Sequence, residues 1–461
     1  MGHSNNPVES LAQWQTYLLS VHPNEIELGL ERAGQVMQRL NIGSQALKIV
    51  VGGTNGKGST SALLESILLA SGYRVGVYGS PHLIHFNERF RLQGEQASDE
   101  QIIRHLQKVD EAREGISLTY FEFATLAAFS LFAEQELDVW ILEVGLGGRL
   151  DAVNLIDADC SVLTQIDIDH QEYLGSDREQ IGLEKAAIFR AQKPAICADS
   201  QAPQSVLEYA QRIGARLWLL DRDFSYEASM HQWMYRGPGM RRGALPYPAL
   251  RGANQLNNAS AALAVIEAFA DRLAVPIQDI KQGLLDVRLP GRFQVLAGQP
   301  LIILDVAHNP HALQALAYNL QQISTTGRTI AVVGMLKDKE VQKALAHMTG
   351  EVDVWHCAQL DSERSLPVDQ LSTFVKEAYA QEKNVAITKP APVADQQPTV
   401  RPRVAPREKS AAHIECFDSI VDAFLAAQQI STVNDKIVVF GSFLAVGPVL
   451  EHVQKAGGHE L

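Results

Sequence analysis

The chain is poor in the features that mark secreted, zinc-binding and membrane-spanning proteins. It has four cysteines in 461 residues, and no two of them form a Cys-x-x-Cys pair, which argues against a disulfide framework and a structural zinc site. No apolar run reaches the ~18 residues of a membrane helix, and the first residues show no basic stretch followed by an apolar core. We therefore expect a cytoplasmic protein with reduced cysteines.

Positive charge is also scarce. The 40 lysines and arginines are outnumbered by 53 acidic residues, which gives a net charge of −13. This balance argues against broad nucleic-acid binding, because such binding requires a basic face. The chain is 46% hydrophobic and 20% charged, which is typical of a globular enzyme. We expect small-molecule substrates, no membrane partner and a monomer.

Apolar segments and helical segments alternate along most of the chain. Because such alternation produces parallel strands covered by helices, the sequence predicts an α/β fold. A mostly parallel sheet with a phosphate loop (P-loop) forms the first domain, and a smaller Rossmann-like α/β domain follows. The segment Leu-Pro-Gly-Arg-Phe at 289–293 indicates a hinge. We place the domains at 1–295 and 296–461, with a flexible proline-rich insertion at 389–409.

The glycine-rich loop at 52–59, Gly-Gly-Thr-Asn-Gly-Lys-Gly-Ser, connects a predicted buried strand to a predicted helix. Its glycines let the backbone turn several N–H groups toward an anion, and the helix N-terminus adds partial positive charge. Lys57 can neutralise a β- or γ-phosphate. The strict P-loop pattern is not met, since Gly58 separates Lys57 from Ser59. A chance glycine-rich turn is the alternative, which the strand–loop–helix context disfavours.

Acidic and imidazole side chains follow other predicted strands. Glu143 ends an apolar run and precedes glycines, which suits Mg²⁺ beside phosphates, although a capping or salt-bridging glutamate is the alternative. Asp167, Asp169 and His170 follow the next strand and could ligate a metal or shuttle protons. Lys185 lies on the helix after them. Its residue type alone indicates a surface charge, since an ammonium repels a metal ion.

In the predicted second domain, Asp305 and His308 follow the first strand within the sequence Asp-Val-Ala-His-Asn-Pro. They could meet a nucleotide, or they could form an Asx-turn with an ordinary histidine. Arg292 in the hinge could reach a phosphate and neutralise transition-state charge. Two α/β domains with a phosphate loop, metal-type acids and these cations indicate ATP-dependent ligase chemistry.

Together these motifs resemble the folylpolyglutamate synthase family of the Mur-ligase superfamily. The resemblance covers nearly the whole chain apart from 389–409, and the motifs follow the family's order. They are GTNGKGS (53–59), SPHL (80–83), LTYFE (118–122), EVGLGGRLDA (143–152), DH with LG (169–175), EKA (184–186), PGR (290–292), DxAHNP (305–310) and GSF (441–443). The LTYFE run is similar to that of the bacterial bifunctional members.

The resemblance implies a role for individual residues. Two Mg²⁺ ions would be held by Ser80, Glu143, His170 and Lys185, the last as a carbamate formed with CO₂. The ATP contacts would be Thr54, Asn55, Gly56, Lys57, Gly58, Ser59, Asn258, Arg292 and Asp305. The pterin would lie against Thr119, Tyr120, Phe121, Glu122, Asp151 and Ala152. The catalytic residues would be Lys57, Lys185, Arg292 and His308.

The activity that the resemblance implies is ATP- and Mg²⁺-dependent ligation of L-glutamate. One substrate would be dihydropteroate, which becomes dihydrofolate, and the others would be folates, which gain further glutamates. The substrate carboxylate would take the γ-phosphate to form an acyl phosphate, which the glutamate amine then attacks. Two alternatives remain: a Mur-type ligase for a different acid and amino acid, and an ATP-binding regulator without ligase activity.

Overall fold

The structure, a computed structural model, describes residues 9–323, 326–385 and 413–457. The chain divides into two compact units. The first holds the described residues up to Ala249 together with Leu256–Val287, and the second holds Leu250–Gln255 and the described residues from Arg288 onward. The domain boundary between 295 and 296 stays a prediction, and the predicted insertion at 389–409 lies outside the described residues.

The elements up to Val287 alternate as expected for an α/β unit. In chain order they are α1 (Leu11–Val21), α2 (Glu31–Leu40), β1 (Leu47–Gly52), α3 (Lys57–Ala70), β2 (Val75–Tyr78), β3 (Phe90–Leu92), β4 (Glu95–Gln96), α4 (Asp99–Arg113), α5 (Tyr120–Ala133), β5 (Val139–Glu143), β6 (Cys160–Leu163), α6 (Gln171–Leu174), α7 (Arg178–Ala186), β7 (Pro194–Cys197), α8 (Gln204–Ile213), β8 (Arg216–Leu219), β9 (Ser225–Ala228), β10 (Trp233–Arg236), β11 (Arg241–Leu245), α9 (Gln255–Ala268) and α10 (Ile277–Asp286).

The main sheet of the first unit has the strand order β4-β3-β2-β5-β1-β6-β7-β8. Its strands are parallel except β3 and β4, which pair antiparallel at one edge. Strands β1 and β5 are mostly apolar and almost wholly buried, because helices cover both faces of a parallel sheet. The strands β2, β5, β1 and β6 are direct neighbours, so their carboxyl ends lie side by side.

A second, three-stranded antiparallel sheet follows in the order β11-β10-β9. The sequence analysis did not predict it. Its strands are short and carry exposed polar residues, and the hairpin between β10 and β11 is the glycine-rich sequence at 237–240. Short strands with one solvated face give a weak hydrophobic pattern, which explains the omission.

The second unit contains a mixed sheet with its own core. Its elements are β12 (Gln294–Leu296), β13 (Leu301–Leu304), α11 (Pro310–Gln321), β14 (Thr329–Val333), α12 (Val341–Ala346), β15 (Val354–Ala358), α13 (Val368–Val385), β16 (His413–Phe417), α14 (Ile420–Ile430), β17 (Lys436–Phe440) and α15 (Phe443–Gly457). The sheet order is β12-β13-β17-β14-β15-β16, and only β12 pairs antiparallel.

The predicted fold class is therefore confirmed: a parallel-rich α/β sheet and a second, smaller α/β unit. None of the helices in the described part of the chain combines the length and the apolar character needed to cross a bilayer.

Candidate active site

Four neighbouring strands of the first sheet bring four predicted site segments to one edge. Strand β1 leads into the phosphate loop, β2 into Ser80, and β6 into the segment of Asp169 and His170, while β5 ends at Glu143. The carboxyl edge of a parallel sheet is where ligands bind in α/β folds. The segments also approach each other closely, because a Cβ added at Gly79 would lie 3.3 Å from Oε2 of Glu143.

The phosphate loop is fixed to its neighbours on two sides. The N–H of Thr54 donates to the carbonyl of Gln165 at 2.7 Å, and its hydroxyl donates to the carbonyl of Asp167 at 3.0 Å. On the other side Gly56 has a φ of +96°, and a Cβ there would lie 2.6 Å from Oδ1 of Asn258. Glycine is therefore required at this turn, and the loop is held between the 165–167 segment and helix α9.

Lys57 folds back over this loop. Its ammonium donates to the carbonyls of Gly53 at 3.1 Å and Thr54 at 3.3 Å. The same residue is the first of helix α3, whose N-terminus carries partial positive charge. Lysine and helix end thus concentrate positive charge at the glycine-rich loop, which is the requirement for binding phosphate.

Lys185 lies in the core of the first unit, contrary to what its residue type indicates. Its side chain is buried, and Nζ donates to the carbonyl of Gly53 at 3.1 Å. Burial, reinforced by the nearby charge of Lys57, lowers the pKa of Lys185 to about 7, while Asp169 and Asp151 act in the opposite direction. A substantial fraction of the amine is therefore uncharged near neutral pH.

The predicted metal ligands include one carboxylate, one imidazole and one hydroxyl. Glu143 is buried, and His170 adopts a left-handed backbone with a φ of +50°, its N–H donating to Oδ1 of Asp169 at 2.8 Å. Within the ranges that the structure describes, no three His, Cys, Asp or Glu side chains form a metal cluster. The donor types suit Mg²⁺ or Mn²⁺, and a carbamate on Lys185 would add oxygen ligands.

The predicted pterin residues occupy two adjoining segments. Thr119 caps helix α5: its N–H donates to Oε2 of Glu122 at 2.8 Å, and its hydroxyl accepts from the N–H of Glu122 at 3.2 Å. Tyr120 and Phe121 begin that helix, and a Cβ at Gly145 would lie 2.6 Å from the ring of Phe121. The aromatic start of α5 thus packs against the loop after β5.

Asp151 belongs to that same loop, and Ala152 begins the short 3₁₀ helix after it. The Asp151 carboxylate accepts from the N–H groups of Leu146 at 2.8 Å and Val153 at 2.9 Å. Burial raises the pKa of Asp151 to about 6, against the opposing effect of these N–H donors. The carboxylates of Glu122 and Asp151 therefore order the backbone of the segments that are predicted to contact the pterin.

Within the second unit, Asp305 is held by backbone donors. Its carboxylate accepts from the N–H groups of Phe293 at 2.9 Å and Ala307 at 2.8 Å. Burial raises the pKa of Asp305, and the charge of Arg292 acts against this rise. The guanidinium of Arg292 lies 5.0 Å from the ring centroid of Phe443.

The predicted residues thus form two groups, one in each unit. His308 joins the second group, with Nδ1 2.8 Å from the carbonyl of Val306. Sequence reasoning missed Thr164, whose hydroxyl donates to the carbonyl of Gly52 at 3.1 Å and would lie 1.9 Å from a Cβ at Gly53. Its position directly after β6 was the available signal.

Two models of known protein families match successive parts of the chain. Residues 51–266 match the Mur ligase middle domain, and residues 291–443 match the Mur ligase, glutamate ligase domain. The dihydrofolate synthase/folylpolyglutamate synthase of Escherichia coli (strain K12) is 39% identical over 97% of this chain and 97% of its own length.

Solved structures agree over nearly the whole chain. E. coli FolC in complex with DHPP and ADP has a TM-score of 0.86 and 38% identity, covering 97% of this chain and 98% of that chain. A bifunctional folylpolyglutamate synthase/dihydrofolate synthase with Mn, AMPPNP and L-glutamate bound has a TM-score of 0.84 and 39% identity, covering 99% and 100%.

Proposed function

The chain belongs to the dihydrofolate synthase/folylpolyglutamate synthase family of Mur ligases, and we propose that it joins L-glutamate to dihydropteroate and to folates. It is an ATP-dependent ligase, and the Mn bound in the similar solved structure supports a divalent metal ion as its cofactor. The observation that carries the proposal is the edge of the first sheet, where the phosphate loop, Ser80, Glu143 and His170 follow neighbouring strands beside buried Lys185.

The ATP triphosphate binds at the phosphate loop. The residues Thr54, Asn55, Gly56, Gly58 and Ser59 offer backbone N–H groups, and Lys57 adds its charge to the β- and γ-phosphates. Asn258, beside Gly56, contacts the nucleotide from helix α9. Arg292 and Asp305 are further ATP contacts, a role supported by their place in the family's motifs.

Ser80, Glu143 and His170 hold Mg²⁺. When bound, such ions neutralise oxygens of the transferred phosphoryl group. Oxygen and imidazole donors at the carboxyl edge of the sheet, next to a phosphate loop, are the support for this assignment.

Lys185 becomes a metal ligand by reacting with CO₂. Its neutral amine forms an N–C bond, loses a proton and becomes a carbamate, so a cation that repels metal is replaced by an anion with two oxygen donors. The burial of Lys185 and its pKa of about 7 support this step, because only the uncharged amine is nucleophilic.

The reaction runs through an acyl phosphate. A carboxylate oxygen of dihydropteroate, whose pterin lies against Thr119–Glu122 and Asp151–Ala152, attacks the γ-phosphorus and ADP leaves. The uncharged amine of glutamate then attacks the acyl carbon; the bond to phosphate breaks, an amide forms and a proton is released. Lys57 and Arg292 neutralise the negative charge of the transition state. His308 lies on the same segment as Asp305.

A product analysis tests the proposal. The protein is incubated with ATP, Mg²⁺, L-glutamate and either dihydropteroate or a UDP-muramyl acid, and products are identified by mass spectrometry. We expect dihydrofolate from the first mixture and, with folate substrates, species heavier by successive glutamyl residues. Amide formation only with the muramyl acid contradicts the proposal in favour of another Mur-type ligase, and ATP binding without any amide indicates a regulator.

A further inference from the structure

An arginine near the start of helix α2 reaches across to the first turn of α5. Nη2 of Arg32 lies 3.1 Å from Oε1 of Glu122, although the two residues are 90 positions apart in the sequence. Glu122 is buried, with an exposed fraction of 3%. An ionised carboxylate in such a place is costly unless a cation and hydrogen bonds replace the water that it has lost. Arg32 supplies that cation.

The second carboxylate oxygen of Glu122 binds the start of its own helix. Oε2 accepts from the N–H of Thr119 at 2.8 Å, and the N–H of Glu122 donates to the hydroxyl of Thr119 at 3.2 Å. One carboxylate thus connects Arg32 to the capping box of α5. Because a capping box fixes the first turn of a helix, the position of Glu122 determines that of Tyr120 and Phe121, which are predicted pterin contacts.

The guanidinium of Arg32 is itself held by the turn before α2. Its Nη1 binds Oε1 of Glu27, and its Nη2 also donates to the carbonyl of Glu27 at 3.0 Å. The side-chain amide of Asn24 donates to Oε2 of Glu27 at 3.0 Å and orients that carboxylate in turn. Arg32 therefore meets Glu122 from a fixed position, which removes much of the entropy cost of holding a long side chain in an ion pair.

The same turn contacts the second predicted pterin segment. The N–H of Gly29 donates to the carbonyl of Leu150 at 3.3 Å, and Leu150 directly precedes Asp151. Residues 29–32 therefore bind the start of α5 through Arg32 and the loop of Asp151 through Gly29. A connection of this kind fixes the relative positions of the two segments.

We propose that Arg32 is a positioning residue for the pteroyl substrate, and that it acts through Glu122 without touching the ligand. The inference rests on the proposed function, because it takes residues 119–122 as part of the pterin site. Without the guanidinium, Glu122 would be a buried carboxylate with no cation beside it. Its side chain would then turn toward water or take up a proton, and the first turn of α5 would lose its order. Binding of the pteroyl substrate should suffer, whereas binding of the nucleotide at the phosphate loop should not.

Steady-state kinetics provide the test, because they separate the two substrates. The KM for dihydropteroate, the KM for ATP and kcat are measured for the wild-type chain, Arg32→Met and Arg32→Lys. We expect Arg32→Met to raise the KM for dihydropteroate by about 10-fold, the scale of one lost hydrogen bond to a charged group, and to leave the KM for ATP nearly unchanged. Arg32→Lys should restore part of the loss, since it keeps the charge without the planar fork. A purely structural role would lower the active fraction, and hence kcat, without this selective change in KM.

Arg39→Met is a matched control on the same helix. Arg39 donates to the carbonyls of Ala112 and Arg113 and lies 3.3 Å from Glu114, so it binds the end of α4 instead of α5. Its loss should leave both KM values near those of the wild-type chain. An equal rise in the KM for dihydropteroate in Arg32→Met and Arg39→Met would show a general effect of α2 packing and overturn the inference.

A double-mutant cycle decides whether Arg32 acts through Glu122. In Glu122→Gln the buried carboxylate is absent, so the further change Arg32→Met should add little to the KM for dihydropteroate. The same rise in both backgrounds contradicts the inference. If Arg32→Met does not fold, Arg32→Lys is compared in the two backgrounds by the same criterion. A wild-type chain that does not ligate glutamate to dihydropteroate contradicts the proposed function, whereas ligation with an unaltered KM in the Arg32 variants contradicts only this inference.

Discussion

A Cβ placed on Gly283 would lie 2.5 Å from the Cα of Ile67, so helix α10 packs directly on the backbone of α3. The hydroxyl of Ser66 donates to the carbonyl of Gly283 at 2.8 Å and fixes the same crossing. Helix α3 begins at the phosphate loop. The close crossing therefore supports the element that positions Lys57.

Gly283→Ala should destabilise the first unit, because the added methyl meets backbone atoms that cannot rotate away. We expect a loss of about 1–3 kcal/mol in the free energy of unfolding, measured by urea denaturation. Gly43→Ala is the control, since nothing lies within 4 Å of a Cβ there. Equal stability of the two variants would show that the helices can separate without cost.

Lys185→Ala should lower ligase turnover by orders of magnitude, because the oxygen ligands of the carbamate are lost. In the wild-type chain, depletion of CO₂ should reduce activity and bicarbonate should restore it. ¹³C-labelled bicarbonate should give a carbamate signal in NMR spectra. Lys193→Ala removes a half-exposed lysine that pairs with Asp159 at 3.2 Å and serves as the control. Full activity of Lys185→Ala without added acetate or bicarbonate would exclude the proposed role.

Glu65 and Arg91 form a largely buried ion pair, and the stability that is lost on mutation should depend on whether one charge or both charges are removed. Nη2 of Arg91 lies 2.6 Å from Oε2 of Glu65, yet Oε1 of Glu65 and Nε of Arg91 are buried without hydrogen-bond partners. Burial raises the pKa of Glu65. Each single change to methionine should cost about 3–5 kcal/mol, whereas the double change should be close to neutral.

Urea denaturation of the four proteins gives the coupling between Glu65 and Arg91. Additive losses in the double variant would mean that the two side chains act independently and would contradict the prediction.

Asp151 should make the stability of the first unit depend on pH. Its pKa is about 6 in the folded chain against a reference value of 3.8, so the folded state binds the proton more tightly. Between about pH 4 and pH 6 this group therefore lowers the free energy of unfolding as pH rises. Asp151→Asn removes this titration. The free energy of unfolding of the variant, relative to that of the wild type, should therefore increase as the pH rises from about 4 to about 6.

Urea denaturation at several pH values checks this prediction. Asp157→Asn is the control, because its side chain is 84% exposed. A difference between wild type and Asp151→Asn that stays constant with pH would contradict the assignment of the titration to Asp151.

The sequence predicted what depends on periodicity and missed what depends on burial. Strands such as β14 and β17 were found because they are continuous apolar runs, and the edge with Ser80 and Glu143 followed from the parallel arrangement. Lys185 is different. Its charge gave no sign of burial, since its surroundings come from segments far apart in the chain. The antiparallel sheet of β9–β11 was not predicted, because its strands are short and polar and give only a weak hydrophobic pattern.

The nitrogen of Lys185 has two tasks, since it donates to the carbonyl of Gly53 in the phosphate loop and is the atom proposed to take up CO₂. Reaction at that nitrogen removes donors from it and adds negative charge beside the loop. The conformation of the phosphate loop and the carbamylation of Lys185 are therefore coupled. By thermodynamic reciprocity, if carbamate formation changes the affinity for the nucleotide by some factor, nucleotide binding stabilises or destabilises the carbamate by the same factor. The affinity of the protein for ATP would then depend on the concentration of dissolved inorganic carbon.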